Sequence, residues 1–460
     1  MKTIQSVSRY FPDQCGGIQI HLSDLIPALR TYGVQSTVAA AQAGSRESTY
    51  EYEGVEVHRY SIGAVPISEP NHGQLSPSSV ERFAEWLIQQ DADVYHQHHW
   101  TPDCGLPHLQ AAKSLGMATV VTIHLPVPVC QRKTLMLEGR QACDGRIDLA
   151  RCSRCCGVPA FLPAPALQVL SHLPMPLSQG VQRVLNRTDR FAVPLKTTMN
   201  AMLSPLAIPT FVAARRNRLM EMARLSDRIV AVSQWLYDTL RLNGVPEEKL
   251  VLYRCGVATG FQRSTAAPTT NPLRVGFIGR WNANKGLHVL LDALQLLPAN
   301  APIELVIHSI EDDELYRRQM MRRIAGDPRI RVASALSHQD LPAAVSNLSL
   351  LAVPSQWLET GPLVILEAHA CGVPAVGSNL GGIAELIHHG VDGLLIPPND
   401  AQAWAAMLLQ LIENPDLLDR WRQGIRPVRA IETEAMQIAA LYRDILSRSV
   451  AQSSEVASYC

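Results

Sequence analysis

Apolar residues along this chain come in short runs, separated by longer stretches with helical spacing. In the first half, TIQSVS, QSTVAAA, VEVHRYS, DVYHQHH and ATVVTIH read as strands; in the second, LRVGFIG, IELVIHS, IRVASA and LSLLAVPS do. IQIHLSDLIPALRTYG, SVERFAEWLIQQ and LHVLLDALQLLP place apolar residues every three or four positions and read as amphipathic helices, the first closed by Gly33. Strands that alternate with helices predict parallel, doubly wound sheets. The pattern occurs twice, which predicts two Rossmann-like domains over residues 1–262 and 263–432, then a helical tail over 433–460 that packs back on the first domain. The stretch from Ala258 to Pro272, rich in Thr, Ala and Pro, reads as the linker. Open sheets of this kind bind ligands outside the carboxyl ends of their strands. Chemistry is therefore expected in the loops after the strands and, if the halves face each other, in the cleft between them.

Composition narrows the function classes. The 460 residues are 47% hydrophobic and 18% charged, as in an ordinary globular chain. Zero formal net charge argues against nucleic acid as a partner, since phosphate backbones select basic faces. Charge, Gly or Pro interrupts every apolar run before membrane-spanning length, and MKTIQSVSRYF has no apolar core of signal-peptide type. The expected location is cytoplasmic. Ten cysteines in so long a chain do not read as a secreted disulfide framework.

The most informative stretch is PSQWLETGPLVILEAHACGVPAVGSNLGG, Pro354–Gly382. Pro362 has the fixed φ suited to a first helical turn. A helix starting near Gly361, with PLVILEAHAC as its body and Gly372 at its end, would turn the amides of Thr360, Gly361, Leu363 and Val364 toward an anion, with Pro362 in the same turn. A diphosphate there needs no metal. Glu359 and Glu367 repel phosphate but suit paired sugar hydroxyls. An anion flanked by hydroxyl-rich rings describes a nucleotide-sugar. The plainer alternative makes Glu359 a helix cap and Glu367 a solvated face residue.

LETGPLVILEAHACGVPAVGSNLGGIAELI resembles the E-x7-E region of the retaining glycosyltransferases of family 4, which have the GT-B fold. FIGRWNANKG, DRIVAVSQWL, TIHLP and CGGIQIHL extend the resemblance over most of the chain, in the family's order. The resemblance implies an α/β GT-B enzyme that moves a sugar from a UDP or GDP donor to a glycan or lipid-linked acceptor without a catalytic divalent metal. It implies that Arg280 and Lys285 neutralise the leaving diphosphate, that Glu367 holds the ribose and that Glu359 meets the donor sugar. Thr360, Gly361, Pro362, Leu363 and Val364 line the phosphate. Gly16 and Gly17 approach it from the other domain, and His124 meets the sugar near the reacting carbon. The loop RCGVATGF departs from the family, with Cys255 and Ala258 where Asn and Asp are common. An epimerase or phosphorylase of the same architecture, or a non-catalytic glycan-binding protein on a degenerate transferase fold, are the competing readings.

Two further features invite chemistry. His96, His98 and His99 lie in YHQHHW, where His96 and His98 share a strand face; two ligands make no metal site, and acceptor-side lining or packing is expected. Cys130, Cys143, Cys152 and Cys155 follow C-x12-C-x8-C-x2-C, with Cys156 adjacent. Four thiolates match a structural tetrahedral zinc, with unliganded thiols or an iron–sulfur cluster as alternatives. The Pro-interrupted, Met- and Leu-rich segment at 157–220 reads either as a helical insertion packed on the first domain or as an acceptor lid touching the inner membrane face.

Overall fold

A computed structural model of the chain describes residues 1–13, 16–63, 77–187, 193–263, 271–310, 312–334, 336–458. The chain divides into two compact units. The first comprises Met1–Val232, Leu236–Tyr253 and Met436 onward, and the second Ser233–Trp235 and Arg254–Ala435. The change of unit at Tyr253–Arg254 lies ahead of the 262/263 boundary expected from composition. Residues 264–270 of the expected linker lie outside the described residues.

The first unit contains β1 (Lys2–Val7), β2 (Gln35–Gln42), β3 (Ser48–Tyr52), β4 (Val55–Ser61), β5 (Val94–Gln97), β6 (Ala118–Ile123), a separate hairpin of β7 (Met136–Leu137) and β8 (Gln141–Ala142), then β9 (Arg228–Ala231) and β10 (Leu250–Leu252). Its eight-stranded sheet has the order β10-β9-β6-β5-β1-β2-β4-β3. All pairings are parallel except β3 with β4, an antiparallel edge. The second unit contains β11 (Leu273–Arg280), β12 (Ile303–Ile310), β13 (Ile330–Ala333), β14 (Leu350–Val353), β15 (Ala375–Ser378) and β16 (Gly393–Ile396). Its sheet is fully parallel, in the order β13-β12-β11-β14-β15-β16.

Each sheet winds outward in both directions from its first strand. The order reverses between β1 and β5 in the first unit and between β11 and β14 in the second. Such reversals leave a crevice at the strands' carboxyl ends, where doubly wound sheets bind ligands. Buried Val, Ile and Leu fill both faces of the second sheet, with Trp404 and Trp421 of flanking helices completing one layer.

The helical insertion consists of helices Ala164–Leu170, Met175–Arg187 and Val193–Leu225. Ala207, Phe211, Val212 and Met222 of the last are buried, whereas Phe161, Val169 and Met202 are mostly exposed. No helix among the described residues is long and apolar enough to cross a membrane. The C-terminal helix, Ile431–Ser458, joins the first unit from Met436, and its Tyr442 is fully enclosed there.

Candidate functional site

The second unit concentrates charge and helix ends at its topological reversal. The loop after β11 is capped by Asn282, whose Oδ1 accepts from the Asn284 amide at 2.9 Å. Gly286 follows with φ 75°, and a Cβ there would run into the Pro354 carbonyl, so only glycine fits. That close approach, with Gln356 N–H donating to Asn284 O at 2.7 Å, ties the loop after β11 to the loop after β14. Lys285 is thereby placed with its ammonium 2.6 Å from Glu359 Oε1 and over the Trp357 ring at 5.7 Å from the centroid.

Glu359 is only 6% exposed, a burial that requires compensation. Its Oε1 receives Lys285, the Ser355 hydroxyl at 2.8 Å and the Trp357 indole N–H at 2.9 Å. All three converge on one oxygen, and no described residue bonds Oε2. The Glu359 carbonyl accepts from the Trp235 indole at 3.1 Å and from the Gly382 amide at 2.6 Å. A Cβ at Gly382 would sit 2.6 Å from the Gly361 nitrogen, so this glycine lets the loop pass.

The helix that follows spans Leu363–Ala370, with Pro362 at its N-cap (φ −65°) and Cys371 at its C-cap. It is shorter at both ends than the sequence predicts, because Gly361 has φ 139° and Gly372 φ 76°, neither helical. Pro362 has no N–H and contributes its fixed φ, so the donors of this turn are the amides beside it. Glu367 lies on this helix and is 7% exposed, which excludes the solvated-face alternative. Arg280 ends β11 and reaches Asp312 at 4.0 Å. Sequence reasoning passed over Ser355, Trp357 and Trp235, although the first two lie within PSQWLE; their alternation toward Glu359 was the available signal.

Cys255, in the loop that departs from the family pattern, is buried. Next to it the Gly256 amide donates to Glu434 at 2.6 Å, and a Cβ at Gly256 would meet the Ala430 carbonyl at 2.5 Å. The segment around Ala430 thus fixes this loop.

In the first unit, the helix Gly17–Arg30 starts at the reversal beside β1, with Gly16 extended at its N-cap (φ −165°). No atom lies within 4 Å of where a Cβ on Gly17 would stand, so internal packing does not demand glycine there. His21 of this helix meets His124, just beyond β6, with ring centroids 5.7 Å apart. His124 belongs to a buried hydrogen-bonded chain. Gln5 Nε2 donates to Thr3 Oγ1 at 3.0 Å and to Tyr442 OH at 3.3 Å, which leaves its Oε1 to accept from His98 Nε2 at 2.8 Å. A neutral His98 then accepts on Nδ1 from His124 Nε2 at 3.1 Å. His124 therefore keeps its proton on Nε2 and its lone pair on Nδ1. Burial first, then the neighbouring histidines, pushes His98 and His124 well below the usual histidine range, so both are neutral near pH 7. His96 bonds Tyr442 at 2.6 Å and Thr122 at 2.7 Å, and burial lowers it to about 3. His96 and His98 do share a face, with ring centroids 4.0 Å apart.

Cys130, Cys143, Cys152, Cys155 and Cys156 gather around the β7–β8 hairpin and the helix Leu149–Cys155, all as free thiols. Among the described residues no three of these sulfurs lie within 4.8 Å of one another.

Family models match both halves of the chain: Glycosyltransferase Family 4 over residues 15–156, and Glycosyl transferases group 1 over residues 261–427. The chain belongs to the group 1 glycosyl transferases. Among curated relatives, the amylovoran biosynthesis glycosyltransferase AmsK of Erwinia amylovora is 28% identical over 43% of this chain and 52% of its own. The chain spans about half the length of many curated relatives it matches. Sucrose-phosphate synthase from Thermosynechococcus elongatus superposes with a TM-score of 0.66 at 18% identity, covering 97% of this chain and 99% of that one. HepE of Anabaena, solved with UDP-glucose, gives 0.55 at 17% identity over 99% of this chain and 100% of its own. These likenesses are those of the GT-B fold, and the group 1 match covers Arg280, Lys285, Glu359 and Glu367 together.

Proposed function

We propose that this glycosyl transferase moves a sugar from a nucleoside-diphosphate donor to a glycan or lipid-linked acceptor, with retention at the anomeric carbon. The observation that carries this is the grouping of Arg280, Lys285, Glu359 and a helix N-terminus at one topological reversal. A leaving diphosphate gains charge as the glycosidic bond breaks. Amides of Gly361, Leu363 and Val364, with the Lys285 ammonium and the Arg280 guanidinium, are a fixed donor set for that charge. They stabilise it without a divalent metal. Glu367 is assigned to the ribose hydroxyls, and the open Oε2 of Glu359 to a hydroxyl of the donor sugar.

Lys285 has two roles here. It compensates the buried Glu359, and it is the ammonium offered to phosphate. Within the first unit, His124, Gly16 and Gly17 are the residues assigned a ligand-facing role. The donor is a UDP- or GDP-sugar; HepE, solved with UDP-glucose, favours uridine as the first base to try. The exposed Phe161, Val169 and Met202 of the insertion suit the apolar part of a lipid-linked acceptor.

Arg280→Ala is the cleanest test, because its 4.0 Å pair with Asp312 is half-exposed and contributes little to folding. Turnover with the cognate nucleotide-sugar should fall about 100-fold, the order seen when one transition-state donor is removed, with an unchanged unfolding midpoint. Near-normal turnover would sink the assignment. Lys285→Ala should also lose activity, but with a lowered midpoint, since Glu359 then stays buried without its cation. NMR of the first-formed product reports retention directly.

A further inference from the structure

The short helix Gly381–Leu386, which follows β15, lies against the backbone that leads into the helix Leu363–Ala370. A Cβ on Gly381 would stand 2.7 Å from the Glu359 carbonyl oxygen, and one on Gly382 2.6 Å from the Thr360 carbonyl carbon, so two successive glycines let the segments touch. From this helix two connections converge on one atom. The Gly382 amide donates directly to the Glu359 carbonyl at 2.6 Å. Glu385, one turn further on, reaches the same carbonyl through Trp235. Its carboxylate accepts the Gln234 amide at 3.0 Å and the Trp235 amide at 2.8 Å, and the Trp235 indole N–H donates to Glu359 O at 3.1 Å. Trp235, Arg254, Glu359 and Glu385 all belong to the second unit.

Glu385 is itself held firmly. The two amides it accepts are the first of the helix Gln234–Leu242, an end that favours a carboxylate. Its side chain is 18% exposed, and burial to that degree calls for a cation. Arg254 supplies it, donating from its guanidinium to Glu385 Oε2 at 2.6 Å. Arg254 opens RCGVATGF, so the loop that departs from the family pattern contributes a contact of its own.

The atom on which these contacts converge sets a peptide plane. A carbonyl oxygen has two lone pairs, and Trp235 and Gly382 take both at Glu359. In a trans peptide the N–H points opposite to the carbonyl, so the Thr360 N–H is directed away from Trp235 and Gly382. The next residue cannot impose an orientation. Gly361 has φ 139°, and no atom lies within 4 Å of where its Cβ would stand, so packing does not hold this joint. The Glu359 side chain does not hold it either, since Lys285, Ser355 and Trp357 grip Oε1, several rotatable bonds from the backbone. The start of the turn is therefore aimed by the peptide before Gly361 and by the fixed φ of Pro362 after it.

We propose that Trp235 and Glu385 are positioning residues for the glycosyl transfer. They set the Glu359–Thr360 peptide, and through it the turn whose amides receive the diphosphate, with Arg254 holding Glu385 in place. They act through the Glu359 carbonyl and not by contact with the sugar-nucleotide. This role rests on the assignment of that turn to the diphosphate.

The test is calorimetric titration of the full chain and its variants with UDP and with GDP. W235F keeps an aromatic ring and removes the N–H; E385Q keeps the shape and removes the charge. Each should weaken the nucleoside diphosphate that binds by about tenfold, the worth of one lost hydrogen bond. The W235F/E385Q double variant should bind no more weakly than the weaker single one, because both changes act on one bond. R254A should show part of the loss, and R254K should restore it. Affinity within about twofold of the unaltered chain in both W235F and E385Q, less than one hydrogen bond is worth, overturns the proposal. Losses that multiply in the double variant overturn action through a single carbonyl. If E385Q does not fold, W235F decides alone. R280A separates the two claims. Normal diphosphate binding by R280A removes the diphosphate assignment, whereas weak binding by R280A beside normal W235F and E385Q removes only the positioning role. Failure of both UDP and GDP to bind the unaltered chain overturns the assignment and the positioning role with it.

Discussion

A histidine buried beside other histidines is neutral when folded, and this sets a pH signature for the first unit. His96, His99 and His108 are lowered by burial to about 3, 4 and 3, and His98 and His124 fall well below the usual value. In the unfolded chain each titrates near the ordinary histidine value of about 6.5. Between these values the unfolded state binds more protons, so stability is complete above about pH 6.5 and drains away as pH falls toward the folded values. The cost is about 1.4 kcal/mol per histidine for each pH unit below 6.5. Unfolding free energies from urea titration at pH 7.5 and 5.5 should therefore differ by several kcal/mol; equal values would contradict the buried neutral chain. The sequence places His96 and His98 on one face of a strand. It does not reveal that they form a hydrogen-bonded chain, because their partners Gln5 and Tyr442 lie far away in sequence. For the same reason the Lys285–Glu359 pair was not legible: the motif names both residues and assigns them to different parts of a ligand, whereas the fold joins them to each other.

At the scale of elements, strands with long apolar runs were readable almost to the residue: β2, β4, β11 and β12 begin where the pattern says. The short or irregular ones were not. β15 and β16 have four residues each, and β3 is an exposed edge whose alternation carries no clear apolar face. Helix ends depended on backbone geometry, as at Gly361 and Gly372. Two glycines at such ends make opposite predictions. Gly286→Ala forces a left-handed non-glycine residue against the Pro354 carbonyl, with strain of about 1–3 kcal/mol, and should lower the unfolding midpoint of the second unit. Gly17→Ala meets open space and should change stability by less than about 1 kcal/mol, while raising KM for the donor if a ligand approaches that backbone. Equal thermal effects of the two, measured by calorimetry, would contradict this contrast.

At the scale of the molecule, the duplicated strand–helix pattern made two doubly wound sheets legible, since each half repeats the grammar within its own stretch. What the pattern could not deliver was the exchange of segments between units. Ser233–Trp235 joins the second unit and Met436 onward the first, and both assignments follow from contacts distant in sequence. Trp235 is the instructive case, because its indole bonds the Glu359 carbonyl and so ties it to the loop after β14. The central claim is that a pyrophosphate is held at the start of the helix Leu363–Ala370 by main-chain amides, Lys285 and Arg280. The measurement that tests it most directly is a crystal structure of the chain with a UDP-sugar or GDP-sugar. The account predicts phosphate oxygens within hydrogen-bond distance of the Leu363 and Val364 amides and of the Lys285 ammonium, with Glu367 on the ribose. A nucleotide-sugar bound with its phosphates away from that helix start, or with Glu367 unengaged, would contradict it.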